Sequence, residues 1–429
     1  MITDNNKKLA QWAMDFALKN GCQAAKVVLY ANSNTSFELR DAKMDRLQQA
    51  SESGMGINVY VDGRYGNYST NRLDKKELET FIKNGIESTP DEFRVLADPA
   101  RYYTGGKPDL QMFDDKIFGI NPDDKVALAR AAAGEVMGKN DRIISVETSY
   151  SDGENSSYRL MSNGFEGESK STSVAIKGEG EARPSDYWYG SSLFYDKLPK
   201  TDIGSVALER VLRKLGQKKA KSGKYTMVVD PINSGRMLSP VLSALYGSSL
   251  QQKNSFLIDK LDQKVFSDKL TVMDDPHVIG ANGSRYFDNE GVATEHRPIF
   301  ENGVLKTYFF DTYNAKKMGV APTISGPSRL VLTPGDKDLN GLIADVANGI
   351  LVTGLNGGNS NSNTGDFSYG IEGFLIENGK LTQPVNEMNV TGNFLTLWNS
   401  LAAIGNDART DRSWLVPSLV FEGVDFSGL

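Results

Sequence analysis

Cysteine is nearly absent from this sequence of 429 residues, because Cys22 is the only one. No internal disulfide can form, which is typical of proteins from a reducing compartment. No apolar run approaches the roughly 18 residues that a membrane-spanning helix needs. The first residues lead into an amphipathic helix and do not resemble a signal peptide. We therefore expect a cytoplasmic protein that does not enter a membrane.

Histidine is scarce as well, since only His277 and His296 occur. There is no HExxH or CxxC motif, so the usual spacings of zinc ligands are missing. Asp274-Asp275-Pro276-His277 could form a ligand cluster, but the pattern favours a turn just before a strand. The sequence also lacks a GxSxG elbow, a P-loop and a GxGxxG after a strand. The residues alone therefore indicate no catalytic set, although a metal held by carboxylates stays open as an alternative.

Positive charge shows no excess, because the net charge is -6 and the pI is about 5.3. The densest basic stretch, residues 210–224, is interpreted as the solvated face of a helix and its exit. Proteins that bind nucleic acid usually carry a basic domain or stripe. Direct binding of nucleic acid is therefore not expected.

Glycine is abundant, with 42 residues, and apolar residues make up 39% of the chain. The chain can bury substantial cores, and its many tight turns favour antiparallel sheet. Its length suits two domains. We predict an α+β protein with a mixed helix and sheet domain at residues 1–222. A largely antiparallel β domain with one long helix follows at residues 223–429.

Periodicity and turn signals place the elements of the first half. Asp62-Gly63 predicts a hairpin, and Asn121-Pro122 predicts the start of a helix. Asp74 is a suitable cap for another helix. The predicted helices are residues 6–20, 74–88, 121–139 and 202–219, and the first predicted strands are residues 25–30 and 37–47.

The second half opens with a predicted strand at residues 225–230 and a long helix at residues 233–252. A shorter helix is predicted near residues 340–351. Asn302-Gly303 and Asn378-Gly379 predict hairpins. The short sequence segments around these two dipeptides are similar, which indicates either two unrelated hairpins or an internal repeat. Residues 356–365 resemble a polar, flexible loop that covers a ligand or only connects two elements.

Several long segments are similar to one known family: residues 287–308, 314–319 and 364–381 in the second half, and residues 54–70 and 186–189 in the first. They resemble the TldD and PmbA (TldE) family of bacterial metallopeptidase subunits. This resemblance implies a peptidase built from two related subunits that degrades or trims unfolded peptides. It also implies that one subunit carries zinc on an HExxxH helix after the first strand of the C-terminal domain.

An ungapped alignment from that strand places the two histidines of the motif at Ser239 and Ala244, and its glutamate at Pro240. The family's further metal ligand is a cysteine near the C-terminus, and this chain has none after Cys22. Hydroxyl and methyl groups cannot replace imidazole on zinc, and proline cannot act as a general base. The chain therefore resembles the PmbA/TldE branch, with no metal of its own and with zinc in a TldD-like partner.

The helix that carries these positions should begin at about Ser239 or kink there, because proline inside a helix removes a hydrogen bond. The apolar positions of this helix are predicted to be core: Met237, Leu238, Val241 and Leu242.

The resemblance is strongest around the predicted peptide-binding residues, which are Gly365, Asp366, Phe367, Ser368 and Tyr369. The alternative is that Phe367 and Tyr369 only anchor a hairpin.

The leading interpretation is a non-catalytic subunit that completes a peptide chamber and forms a homodimer in isolation. The alternatives are a self-associating paralogue that binds peptides or proteins, and an independent hydrolase with a carboxylate-bound metal. The family is also known as a modulator of DNA gyrase. The resemblance suggests an indirect link, through degradation of an antitoxin-type peptide.

Overall fold

The computed structural model describes residues 2–429 and combines helices with mostly antiparallel sheets. The predicted α+β class is therefore confirmed. The chain divides into two compact units. The first contains the residues up to Val211 together with Arg285–Thr294, and the second contains Leu212–Ser284 and Glu295–Leu429. The boundary after residue 222, taken from sequence, stays a prediction.

The first unit is built on one six-stranded sheet with the order β3-β2-β1-β4-β5-β6. All neighbouring strands in it are antiparallel. The strands are β1 (Ala24–Arg40), β2 (Lys43–Val61), β3 (Arg64–Thr70), β4 (Ser145–Met161), β5 (Glu166–Glu181) and β6 (Ser185–Ser192).

Four α-helices accompany this sheet: α1 (Asp4–Lys19), α2 (Lys75–Glu87), α3 (Pro122–Gly134) and α4 (Ile203–Arg213). Thr3 and Asn6 form a capping box at the start of α1, and the side chain of Asp74 caps α2. One apolar core lies between the first two helices and the sheet, and a second core includes residues of α3. Short 3-10 helices occupy Pro99–Arg101, Asp115–Gly119 and Tyr195–Lys197.

The predicted strand region at residues 37–47 is extended at both ends, but it is not one strand, because the chain reverses inside it. β1 and β2 meet at a turn formed by Asp41 and Ala42, whose φ angles are 49° and 60°. Two positive φ angles are typical of a type I′ turn, for which asparagine and glycine are the usual signal. The sequence Asp-Ala gave little indication of the turn. The hairpin at Asp62-Gly63 is confirmed.

Two predicted helices are longer than the observed ones. We expected them to reach residues 139 and 219, but α3 ends at Gly134 and α4 ends at Arg213. Gly138 and Gly216, which follow these ends, have φ angles of 68° and 79°. Glycine adopts this left-handed conformation without a steric penalty, and a right-handed helix cannot continue through it.

The second unit contains two sheets, a five-stranded one with the order β10-β9-β8-β11-β16 and a six-stranded one with the order β14-β13-β12-β7-β17-β15. A further pairing between β14 and β17 closes the larger sheet on itself. The strands are β7 (Gly223–Val229), β8 (Val272–Asp274), β9 (Arg297–Glu301), β10 (Val304–Leu305), β11 (Leu330–Leu332), β12 (Asn348–Ser360), β13 (Asp366–Glu377), β14 (Lys380–Asn393), β15 (Leu401–Ile404), β16 (Trp414–Leu415) and β17 (Leu419–Ser427).

The predicted long helix at residues 233–252 is also wrong in extent. It is two helices, α5 (Ser234–Ser243) and α6 (Gly247–Gln251). Between them, Tyr246 forms a bridge to Phe309, whose carbonyl accepts a hydrogen bond from the Gly247 amide at 2.8 Å. This tertiary pairing interrupts the helix. The remaining helices are α7 (Thr312–Met318), α8 (Leu339–Ala344) and α9 (Phe394–Asn399).

Both Asn-Gly hairpins of the second unit are confirmed. Asn302 and Asn378 have φ angles of 49° and 50°, and the following glycines both have φ angles of 77°. These values match the type I′ geometry that the dipeptide favours. Among residues 2–429, no helix is long and apolar enough to span a membrane.

Candidate functional site

Helix α5 carries the three positions at which the resemblance places the zinc-binding motif. Ser239 and Pro240 are partly buried, and Ala244, at the C-cap of the helix, is completely buried. The predicted core residues Met237, Leu238, Val241 and Leu242 are all buried, which confirms that part of the prediction.

Hydrogen bonds fix α5 against the neighbouring strand β12. The Arg236 guanidinium donates to the carbonyl of Leu355 at 2.6 Å, and the Asn233 side-chain amide donates to the carbonyl of Thr353 at 2.9 Å. The Asn233 amide also donates to the buried Asp230 carboxylate at 2.8 Å. The start of the helix is thus held by a polar network, which limits its freedom to rearrange.

The helix does not begin at Ser239 as one alternative predicted. It starts at Ser234, and Pro240 lies inside it. Pro240 has no N–H to donate to the carbonyl of Arg236, four residues earlier, so one helical hydrogen bond is missing. The capped start at Ser239 is wrong because packing of the apolar face extends the helix toward its N-terminus despite the proline.

Zinc does not fit the side chains at these three positions, since they offer one hydroxyl and no imidazole, thiolate or carboxylate. Within residues 2–429, no group of three or more His, Cys, Asp or Glu side chains is arranged to hold a metal ion. Cys22 lies in the other unit and is buried.

Asp274-Asp275-Pro276-His277 is predicted to be a turn just before a strand. Pro276 and His277 do lie in a turn, but it follows a strand, because Asp274 is the last residue of β8. Its buried carboxylate accepts hydrogen bonds from the amides of Ser328 and Arg329 at 2.9–3.1 Å. These bonds use the carboxylate to join β8 to the start of β11. Pairing with β9 and β11 makes residues 272–274 a strand, and the neighbouring aspartate and proline gave no local indication of it.

In the region where the resemblance expects a C-terminal cysteine, Asp407 is bound to Ser418. The Asp407 carboxylate accepts from the Ser418 amide at 2.8 Å and from the Ser418 hydroxyl at 2.6 Å. It also accepts from the amide of Leu339 at 3.1 Å. These bonds give Asp407 a structural role, because both of its oxygens are engaged.

The predicted peptide-binding residues lie at the start of β13, after a turn at residues 361–365. Much of the predicted flexible loop is in fact ordered strand, because β12 continues through Ser360. Two backbone hydrogen bonds of 2.8 Å close the turn, from Asn361 to Asp366 and from Gly365 to Asn361. Gly365 has a φ angle of 82°, and a Cβ atom there would lie 3.1 Å from the Phe256 ring. Both the conformation and the space favour glycine.

Side chains alternate along this part of β13. Asp366 and Ser368 are exposed, whereas Phe367 is buried and Tyr369 is partly buried. The Phe367 ring lies 4.7 Å from the ring of Phe394 and 5.6 Å from that of Tyr369. Phe367 is thus packed in the core, which agrees with the alternative that this residue only anchors a hairpin. The exposed side chains of Asp366 and Ser368 are the ones available to a ligand.

The carboxylate of Asp366 is oriented by two neighbours. It accepts from the Asn393 side-chain amide at 2.9 Å and from the Thr364 hydroxyl at 2.7 Å. These two hydrogen bonds, that of Asn393 first, hold the pKa of Asp366 below its usual value. The group is therefore a fixed negative charge at neutral pH, suited to a cationic or N–H-bearing ligand.

Strand addition at β13 itself is excluded, although we had expected a peptide to bind beside a sheet edge. β13 pairs with β12 on one side and with β14 on the other, and Phe367, Ser368 and Tyr369 have partners in both strands. The backbone groups there are already used. A peptide at this place would have to contact the side chains or the turn.

Asn393 and Phe256 support the turn, and the sequence reasoning did not identify them. Asn393 caps α9 and donates to the carbonyl of Thr364 at 2.8 Å as well as to Asp366. Phe256 binds the turn through its amide, which donates to the carbonyl of Ser362 at 3.0 Å. An asparagine just before an apolar run was a usable signal for the cap, but no local pattern pointed to Phe256.

Comparison with known proteins gives consistent matches along the chain. Residues 25–89 match the PmbA/TldA metallopeptidase domain 1, residues 115–215 the central domain, and residues 222–428 the C-terminal domain. A metalloprotease PmbA homolog from Haemophilus influenzae is 28% identical over 98% of this chain and 96% of its own length.

Two solved structures have the same fold. A protein from Bacteroides thetaiotaomicron, named as a modulator of DNA gyrase, is 69% identical, with a TM-score of 0.97 over 100% of both chains. TldE from Thermococcus kodakarensis is 19% identical, with a TM-score of 0.83 over 98% of this chain and 100% of its own, and it shows the fold alone. With three domain models of one family matched in order, this chain belongs to the PmbA/TldD metallopeptidase family.

Proposed function

We propose that this chain is the non-catalytic subunit of a heteromeric zinc metallopeptidase of the TldD/TldE type that acts on unfolded peptides. The observation that carries the proposal is the side-chain set on α5, where Ser239, Pro240 and Ala244 occupy the motif positions. None of them can bind zinc or activate water. Catalysis would therefore require a zinc-bearing paralogue with an intact HExxxH helix.

In this proposal the chain contributes structure and peptide contacts to the complex. The Asp366 carboxylate is exposed, fixed in orientation and charged at neutral pH, so it can pair with a basic side chain or a free amino terminus of a peptide. Ser368 is exposed two residues further along the strand. Gly365 would maintain the turn beside the site, the buried Phe367 would hold the strand in place, and Tyr369 would lie at the border of the site.

The likeness to TldE, though limited to fold, and the PmbA homologues agree with a role in the PmbA/TldE branch. In the absence of the paralogue we propose a homodimer, because related subunits can reuse one surface. The single cysteine supports a reducing compartment, and we propose the cytoplasm. A connection with DNA gyrase would be indirect, through degradation of a peptide.

The decisive experiment is capture of partners from native cell extract with this chain as bait, followed by a peptidase assay with and without chelator. We expect a zinc-bearing paralogue in the eluate and chelator-sensitive cleavage of an unfolded peptide that neither subunit supports alone.

Two other outcomes would contradict the proposal, and each would indicate a different function. Self-association without the paralogue and without cleavage would indicate a binding protein. Chelator-sensitive cleavage by the purified chain alone would indicate an independent hydrolase with a carboxylate-bound metal.

A further inference from the structure

Strand β2 has a long edge that no other strand covers. Its inner side pairs with β1 from Lys43 to Tyr60, but β3 covers its outer side only from Met55 to Val61. Every residue from 43 to 53 is exposed. Within the part of the chain that the structure describes, the outer backbone groups of residues 43–54 are therefore unpaired by any strand.

Such an edge is a template for pairing with another chain, and proteins usually shorten or cover it. This edge also carries apolar side chains, since Met44 is 45% exposed and Leu47 is 62% exposed. They lie opposite Leu39 and Phe37 on β1, both of which are buried in the core with α3. The apolar face of the sheet thus continues beyond its core to the free edge.

We propose that a second copy of this chain pairs with this edge in antiparallel orientation, about a two-fold axis at Gln49. The two β2 strands would join the sheets of two copies into one continuous sheet. The pairing uses backbone hydrogen bonds along the regular part of the free edge, from Arg46 opposite Glu52 to Glu52 opposite Arg46, because the bulge at Asp45 interrupts the alternation of the strand before it.

Charge decides the register. In antiparallel strands, directly opposed residues point to the same face of the sheet. Side chains on one face are an even number of residues apart, so a two-fold axis must set one residue opposite the same residue of the other copy. With the axis at Gln49, Arg46 of each copy lies opposite Glu52 of the other, which forms two opposite-charge pairs. Neither Arg46 nor Glu52 has an ion pair within residues 2–429.

Neighbouring registers are less favourable. An axis at Asp45 or at Arg46 would set that charge opposite its own copy, and like charges directly opposed destabilise a sheet. An axis at Leu47 sets Arg46 opposite Gln48, and an axis at Gln48 sets it opposite Ala50, so neither register forms a pair of opposite charges.

The test is a charge exchange measured by light scattering on the full chain over a micromolar concentration range. Wild type is expected to be a dimer. Arg46→Glu and Glu52→Arg should each weaken the dimer about tenfold or more, because both contacts become repulsive. The double variant R46E/E52R should recover wild-type affinity within a few-fold, since the pairs are restored with reversed sign.

Glu79→Arg, a charge reversal at an exposed position on α2, is the control and should leave the dimer unchanged. Circular dichroism checks that each variant is folded. A monomeric wild type, single variants that dimerise normally, or a double variant that fails to recover would each overturn the proposal. The inference deepens the homodimer part of the proposed function. If a monomeric chain captured the zinc-bearing paralogue, the proposed function would stand and the proposed dimer surface on β2 would be wrong.

Discussion

The side-chain amide of Asn393 donates to the carboxylate of Asp366 at 2.9 Å and so joins the last residue of β14 to the first residue of β13. The same amide donates to the carbonyl of Thr364 at 2.8 Å. One asparagine thus fixes both the turn and the acidic group that we propose as a peptide contact.

Asp366→Ala should leave the fold and the assembly intact but lower the activity of the complex on peptides about tenfold. The expected cause is loss of a fixed charge at an exposed position. The assay compares kcat/KM for a peptide with a basic side chain and for the same peptide with that side chain neutralised.

Glu377→Ala is the matched control, because it removes an exposed carboxylate from the other end of the same strand. Its activity should equal that of the unmodified complex. If Asp366→Ala also left activity and assembly unchanged, the recognition site would have to lie elsewhere.

Pro240→Ala should stabilise the chain. Proline in a helix interior is about 3 kcal/mol less favourable than alanine, and part of that is offset because proline restricts the unfolded chain by about 1 kcal/mol. A rise of about 1–2 kcal/mol in the free energy of unfolding is expected from urea titration. Ser243→Ala, at an exposed position of the same helix, serves as control. A lower stability would show that α5 is shaped around the proline ring.

The triple variant S239H/P240E/A244H should gain neither stoichiometric zinc nor chelator-sensitive peptidase activity. Ala244 is 0% exposed, so an imidazole there would overpack the core at a cost of about 1–3 kcal/mol. The third ligand and the groups that would orient the histidines are also missing. Elemental analysis after dialysis measures the zinc, with the unaltered chain as reference. Activity of the triple variant alone would mean that the chain is a recently disabled enzyme.

Lys26 should make stability rise with pH in alkaline solution. Burial, and secondly the nearby Arg159 guanidinium, lower the pKa of Lys26 to about 8. Between that value and the ordinary lysine pKa of about 10.4, the unfolded chain binds a proton that the folded chain has lost, so the free energy of unfolding increases with pH.

The measurement is urea unfolding of wild type and Lys26→Met at pH 8 and pH 10. The wild type should gain on the order of 2 kcal/mol relative to the variant over this interval. Lys76→Met, at an exposed position on α2, should follow the wild type. Parallel curves for wild type and Lys26→Met would contradict the assignment.

Local sequence was sufficient wherever a short pattern carries its own geometry. The capped start of α2 at Asp74 and the turns at Asp62-Gly63, Asn302-Gly303 and Asn378-Gly379 were predicted correctly, because caps and type I′ turns depend on a few adjacent residues. The apolar face of α5 was also predictable from its spacing. The segments similar to one family predicted that family, which the domain matches confirm.

Contacts between distant residues decided the rest. Pairing of Tyr246 with Phe309 divides the predicted long helix, and β12 and β14 on either side of β13 remove the sheet edge that we had expected there. The free edge of β2 exists only because β3 stops at Thr70.

The sequence by itself determined which chemical groups this protein has, and therefore that the motif positions on α5 offer no zinc ligand. Only the tertiary structure decided which backbone and side-chain groups stay exposed. Strand neighbours are chosen by packing and hydrogen bonding across long sequence separations, which local periodicity does not encode.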